Sequence, residues 1–146
     1  MAKSDIEDVF RIVSIHPLDH HLLGFHWRES FYYDMCLPMG ASSSCQIFET
    51  LSCALQWIME NVFKAAGISH ILDDFFFIGP AKSSQCRDDL TNFLFLCKQV
   101  GIPIKMQKTQ PPTTKITIYG IEVDTEAMEC RLPYEKLTRL KECSIN

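Results

Sequence analysis

Two adjacent carboxylates, Asp73 and Asp74, stand inside one of the most apolar stretches of the chain, Ile71-Leu72-Asp73-Asp74-Phe75-Phe76-Phe77-Ile78. Asp is a good turn residue, so a solvated hairpin turn would account for the pair without any chemistry. Tight hairpin turns, however, favour Asn-Gly or Asp-Gly, because positive φ is wanted at the central residues. Neighbouring carboxylates also repel each other, and a divalent cation relieves that repulsion. Mg²⁺ is a hard, octahedral ion that takes oxygen ligands and shares them with substrate phosphates. A two-ion site needs a third carboxylate from elsewhere in the fold, and Asp5, at the end of a predicted strand, is the candidate. His16, His20, His21 and His26 form a rival cluster of zinc type. No spacing among them matches a zinc motif, and Asp19 and Arg28 compete for them as partners.

The elements that must position these groups are legible from periodicity. A strand ending near Asp5 and a short helical turn open the chain, followed by a hairpin of Leu22–Trp27 and Phe31–Met35 around Arg28-Glu29-Ser30. Ile47, Leu51, Ala54, Leu55, Ile58 and Val62 recur at helical spacing, which predicts a helix over 43–66. Ser43 with Gln46 is a capping-box signature for its start, and Gly67 is the expected stop. Strands at Ile68–Leu72 and Phe75–Ile78 flank Asp73-Asp74, and a second helix spans Ser83–Val100, with Cys86, Leu90, Phe93, Leu94 and Cys97 on one face and Gly101 as its stop. A short strand near Ile104 and strands at Lys115–Tyr119, Glu122–Asp124 and Met128–Leu132 follow, and Pro133 opens a final helix carrying Lys136, Arg139 and Lys141. This order reads as α+β, a mainly antiparallel sheet with helices packed on one face.

The 146 residues amount to one domain, and 47% hydrophobic content supports a real core. No run reaches the eighteen or so apolar residues of a membrane span, and Met1-Ala2-Lys3-Ser4-Asp5 lacks a secretory pattern, so an intracellular protein is expected. Seven cysteines (36, 45, 53, 86, 97, 130 and 143) include no C-x-x-C pair, which argues for reduced thiols; Cys53 and Cys97 fall within apolar helical patterns as small hydrophobes. The net charge of −4 divides unevenly. Residues 1–80 hold four Lys/Arg against ten Asp/Glu, whereas residues 81–146 hold ten against eight. Lys98, Lys105, Lys108 and Lys115 lie in a stretch without acids, so an acidic half suited to cations meets a basic segment suited to phosphate.

Five segments together resemble the palm of reverse transcriptases, in that family's order. Asp5-Ile6-Glu7-Asp8-Val9-Phe10-Arg11 is similar to the first palm motif, an Asp followed five residues later by an aromatic. Leu37-Pro38-Met39-Gly40 with Ile47-Phe48 looks like the second, Leu72-Asp73-Asp74 the third, Lys108 the fourth, and Ile118-Tyr119-Gly120-Ile121-Glu122-Val123-Asp124 the fifth. Cys45-Gln46-Ile47-Phe48, the block from His70 to Phe75 and Arg131-Leu132-Pro133 most resemble retrotransposons that integrate with a tyrosine recombinase, the DIRS and Ngaro kinds. Departures are Ile71 where Tyr is frequent, Ser14 where Pro is usual, and Pro112 where Gly-Pro is expected.

The resemblance implies a palm with a ferredoxin-like antiparallel sheet backed by two main helices, one partial domain over 1–146 with truncated fingers and thumb. It implies an RNA-directed DNA polymerase using two Mg²⁺ (or Mn²⁺) ions, a primed RNA or DNA template and dNTPs, with no membrane partner. Asp5, Asp73 and Asp74 would hold the ions, aided by the Ile6 carbonyl, and Lys108 would protonate pyrophosphate. Phe10 would exclude a 2′-hydroxyl, its ring facing the open cleft rather than the helices. Met39 and Gly40 would line the nucleotide, and Tyr119 and Gly120 would belong to the primer grip. The alternative is an inactive or repurposed fragment that binds nucleic acid or protein. By the same resemblance, weak nucleic-acid binding and no robust primer extension are expected of this chain alone.

Overall fold

The structure, a computed structural model, describes the backbone of residues 1–143 and the side chains of residues 1–140. The side chains of Lys141 and Cys143 therefore lie outside the described residues. Strand β1 (Ala2–Asp5) leads into a 3₁₀ turn (Val9–Ile12), a second 3₁₀ segment (Pro17–Leu23) and the hairpin β2 (Gly24–Trp27) and β3 (Ser30–Tyr33). Helix α1 (Ser44–Asn61), strands β4 (Ile68–Ile71) and β5 (Asp74–Phe77) and helix α2 (Gln85–Val100) form the centre. Strands β6 (Lys115–Ile118), β7 (Ile121–Asp124) and β8 (Glu129–Arg131) and helix α3 (Tyr134–Cys143) follow.

The α+β class holds, but the single expected sheet is divided into three antiparallel ones: β1-β5-β4, β2-β3 and β6-β7-β8. The expected strand near Ile104 is reduced to isolated bridges of Lys3 with Gln110 and Ile6 with Ile104. Between them the chain winds into a turn, with the Lys108 and Thr109 N–H groups both bonded to the Lys105 carbonyl, and a turn cannot sustain a ladder. Both early hairpins turn on two residues, Arg28-Glu29 and Leu72-Asp73, so Ser30 and Asp74 belong to the returning strands and not to the turns.

Strand alternation builds the core. Ala2 and Ile6 share one face of the main sheet with Phe75 and Phe77, and α1 and α2 cover that face. Phe93 of α2 is fully buried there, with ring centroids 4.5 Å from Phe75 and 5.3 Å from Phe77. Phe76 points the other way and packs with Ile116 and Ile118 of β6. Asp89 of α2, also fully buried, accepts from the Ala66 N–H at 3.1 Å and from Gln85 Nε2 at 2.9 Å, tying the loop after α1 to α2.

The inward stripe of α1 is Ser44, Phe48, Ser52, Leu55 and Met59, rotated from the expected one, so that Ile47 and Val62 face outward. The Ser43 side chain makes no cap bond; instead Ser44 Oγ donates to the Pro38 carbonyl at 2.8 Å and anchors the helix start to the preceding loop. The helix ends at Asn61, well before Gly67; beyond it Lys64 is in left-handed conformation and the Ala65 N–H folds back on the Met59 carbonyl. Gly101, by contrast, ends α2 as expected, at φ +76° with the Ile102 N–H on the Cys97 carbonyl. Cys97 is a buried hydrophobe whose thiol is pushed up to about 12 by burial, whereas Cys53 is exposed and not part of the core. Among the described residues no helix is long and apolar enough to cross a membrane.

Truncating Phe93, the ring that joins α2 to β5, leaves a cavity that close-packed neighbours fill only in part. Phe93→Ala is expected to lower unfolding stability by about 3–5 kcal/mol, measured by urea denaturation. A loss below about 1 kcal/mol, the scale of ordinary surface substitutions, would show that this helix is not anchored through the ring.

Candidate active site

The face of the main sheet away from the helices carries Lys3, Asp5 and Asp74. Antiparallel register sets Asp5 directly opposite Asp74, and the Ile6 N–H extends the pairing into the turn by donating to the Asp73 carbonyl at 3.0 Å. On the other edge of β1 the Lys105 N–H donates to the Asp5 carbonyl at 2.8 Å. The turn that follows carries Lys108 back over β1, and its Nζ lies 2.7 Å from Asp5 Oδ2. The ion pair raises the Lys108 pKa, so its ammonium stays charged.

Asp5 is 4% exposed, and its second oxygen, Oδ1, is buried with no hydrogen-bond donor among the described residues. A buried carboxylate oxygen without a partner is costly, and it is the donor type that Mg²⁺ or Mn²⁺ takes. The Asp74 carboxyl is raised above its ordinary range, first by burial and then by the charges of Asp73 and Asp5, with Lys108 opposing. An Asp74 carboxyl crowded by Asp5 and Asp73, with one Asp5 oxygen left unpaired, fits a divalent ion.

Asp73 sits on a strained turn, and Asp74 follows it as the first residue of β5. Leu72 occupies φ +53°, where a bulky residue is an outlier costing on the order of 1–3 kcal/mol. Its N–H is held by Glu49 Oε2 of α1 at 3.2 Å, and the β4–β5 ladder closes behind it. Across from the carboxylates, Tyr119 and Gly120 form a two-residue turn between β6 and β7, at φ +52° and +77°, the primed geometry that tight hairpins prefer. Lys3, Asp5, Asp74 and Lys108 with Thr117, Ile118, Tyr119 and Gly120 enclose an open cavity of about 210 Å³. Burial, with the negative field of Asp74 and Glu49, raises the Tyr119 phenol, which therefore stays protonated.

Of the residues expected to act, Asp5, Asp74, Lys108, Tyr119 and Gly120 thus share one cavity. Asp73 adjoins it in the turn, and its charge acts on both Asp74 and Lys108. The others lie apart from that cavity. The Ile6 side chain, 1% exposed, belongs to the helix-side core. Phe10 is half-buried and stands edge-on to Phe48 of α1 at 5.8 Å, so its ring meets the helix layer, contrary to the expected orientation toward the cleft. Met39 and Gly40 are exposed in the loop before α1, Gly40 at φ +91°.

Sequence patterns missed Lys3, whose Nζ donates to the Thr117 carbonyl at 2.7 Å; its place two residues before Asp5 is the signal that could have found it. Glu49 carried no such signal. The histidine cluster does not form: His20 stacks on Tyr33, His26 tilts against Phe31, and His16 Nδ1 accepts from the Leu18 N–H.

A carboxyl whose folded-state pKa is raised binds more protons folded than unfolded, so its ionisation costs stability. For Asp74 that cost is absent well below the ordinary value of 3.8 and complete above the raised one. Asp74→Asn is therefore expected to raise the Tm at neutral pH without added metal, with the gain vanishing as pH falls through 3.8. Thermal melts across pH check this, and a gain that persisted in acid would remove electrostatic strain as its source.

No protein-family model and no curated protein matches the sequence. Solved structures do match. The foamy viral protease-reverse transcriptase in complex with an RNA/DNA hybrid superimposes with a TM-score of 0.80 at 18% identity, over 96% of this chain and 18% of that one. The same protein with dsDNA gives 0.77 at 20% identity, over 96% and 28%. The native prototype foamy virus enzyme gives 0.69 at 17%, over 84% and 16%. The chain thus spans between 16% and 28% of the length of these neighbours. Over that span it has the reverse-transcriptase fold.

Proposed function

We propose that this chain is palm sequence of an RNA-directed DNA polymerase of retrotransposon origin, extending a primer on RNA or DNA with dNTPs. The observation that carries this is the pairing of Asp5 with Asp74 beside Lys108, in an open cavity bordered by the Tyr119-Gly120 turn. The fold and the nucleic acids bound by its neighbours support it. The affinity to tyrosine-recombinase elements rests on the motifs alone.

Asp5, Asp73 and Asp74 would hold two Mg²⁺ or Mn²⁺ ions, with the Ile6 carbonyl assisting. The chemistry such ions supply is a lowered pKa at the primer 3′-hydroxyl and neutralisation of triphosphate charge. Lys108, charged and flexible, would release its hold on Asp5 and give a proton to departing pyrophosphate. Lys3, on the same sheet face, would add positive charge where phosphate approaches. Tyr119 and Gly120 would steady the primer end and Met39 and Gly40 the nucleotide; Phe10 would exclude a 2′-hydroxyl only by turning its ring from Phe48 toward the cleft.

A second reading, a non-catalytic nucleic-acid or protein binding module, is favoured by one observation. Lys108 already neutralises Asp5 Oδ2, so part of the site is balanced by the chain's own cation.

Metal-dependent stability separates the two. Binding to the folded state alone at ten times a dissociation constant adds about 1.4 kcal/mol. Millimolar Mg²⁺ or Mn²⁺ is expected to raise the Tm of the protein and not of Asp73→Asn. Weak, salt-sensitive binding to an RNA/DNA hybrid should accompany it, and any dNTP incorporation should disappear in Asp73→Asn. In an active form, Phe10→Ala should admit ribonucleotides. Equal metal responses of the two proteins would reject the polymerase site and leave the binding module.

A further inference from the structure

Behind the carboxylate turn, on the helix-side face of the sheet, a second set of donors converges. His70 of β4 alternates away from the acids and stacks on Phe75 with ring centroids 5.2 Å apart; its side chain is 7% exposed. Glu49 and Cys53 lie four residues apart on α1, one helical turn, and both face that ring. Glu49 Oε1 is 3.2 Å from His70 Nε2, and Cys53 Sγ is 3.8 Å from the same nitrogen. One donor atom from each residue lies within 4.8 Å of the other two.

We propose that Glu49, Cys53 and His70 form a binding site for a thiolate-seeking divalent ion of the Zn²⁺ class, separate from the carboxylate site. Imidazole nitrogen, thiolate and carboxylate are the ligand types such an ion takes. At ordinary zinc bond lengths the N–O and N–S edges of a tetrahedron are about 3.4 and 3.6 Å, close to the spacings already present. The outer contacts fit as well. Gln56 Oε1 can only accept, so its bond to His70 Nδ1 puts a proton there and turns Nε2 toward the other ligands. Glu49 Oε2 is held by the Leu72 N–H, which leaves Oε1 free to point at the site. Cys53 is exposed and Glu49 half-buried, so an ion can reach them from solvent.

The two sites should sort metals by hardness. Mg²⁺ avoids thiolate, whereas Zn²⁺ and Co²⁺ take it readily. Metal binding at the Glu49–Cys53–His70 site is independent of any polymerase activity.

Co²⁺ titration tests it, because thiolate ligation gives a sulfur-to-cobalt charge-transfer band. One equivalent should produce the band, Zn²⁺ should abolish it and excess Mg²⁺ should not. Cys53→Ser, at an exposed position that tolerates the change, should lack the band. Cys45→Ser, Cys130→Ser and Asp73→Asn should keep it. His70→Gln should weaken Zn²⁺ binding by at least about tenfold. A missing band in the unaltered protein, a band surviving Cys53→Ser, or one lost equally in Cys45→Ser would overturn the site. Glu49 and His70 would then form a side-chain contact only.

Discussion

The antiparallel register of β1 on β5 is the constraint from which the rest of the molecule follows. Pairing Ala2 with Phe77 and Asp5 with Asp74 fixes which side of each strand meets the helices. Because strand side chains alternate, a slip of one residue would turn Phe75 and Phe77 out of the core and the carboxylates into it. Hydrophobic burial of those rings against Phe93 therefore also aims the acids. Core and site are opposite faces of one sheet, specified by one pairing.

Gathering acids on that face works against stability, and the compensations are local. Lys108 reaches Asp5 because the segment after Pro103 is bonded along β1 and then turns back. Burial, and then the charges of Asp73 and Asp5, leave Asp74 with a raised pKa. The turn itself is strained at Leu72 and clamped by Glu49 of α1. A helix side chain thus takes part in holding the carboxylate turn, and the same glutamate faces His70 and Cys53. One α1 residue therefore links the two faces of the sheet. Any change in how Glu49 is engaged acts on the backbone next to Asp73, since Leu72 lies between them.

The hairpins show a shared economy. Leu72-Asp73, Arg28-Glu29 and Tyr119-Gly120 each reverse the chain in two residues with positive φ at the first. Only the last has a glycine to ease it. Such tight reversals bring the returning strand into register at once, which is why Asp74 is a strand residue paired with Asp5 and not a solvated turn residue.

Much was legible in the residues alone. Asp73-Asp74 amid apolar neighbours, Asp5 at a strand end and two amphipathic helices carry local signals, because turn chemistry and periodicity act over a few positions. The α+β class and the candidate acids came from those signals. The face of α1 did not, because Ser44 and Ser52 are buried by what packs on them and not by their own polarity. Neither did the edge-on seat of Phe10 on Phe48, the partition into three sheets or the place of Lys3. Glu49, Cys53 and His70 are ordinary residues in sequence, separated by a loop and a change of element. Only the packing of α1 on β4 brings their donors to one point, since long-range contacts are set by which surfaces the whole chain can bury together.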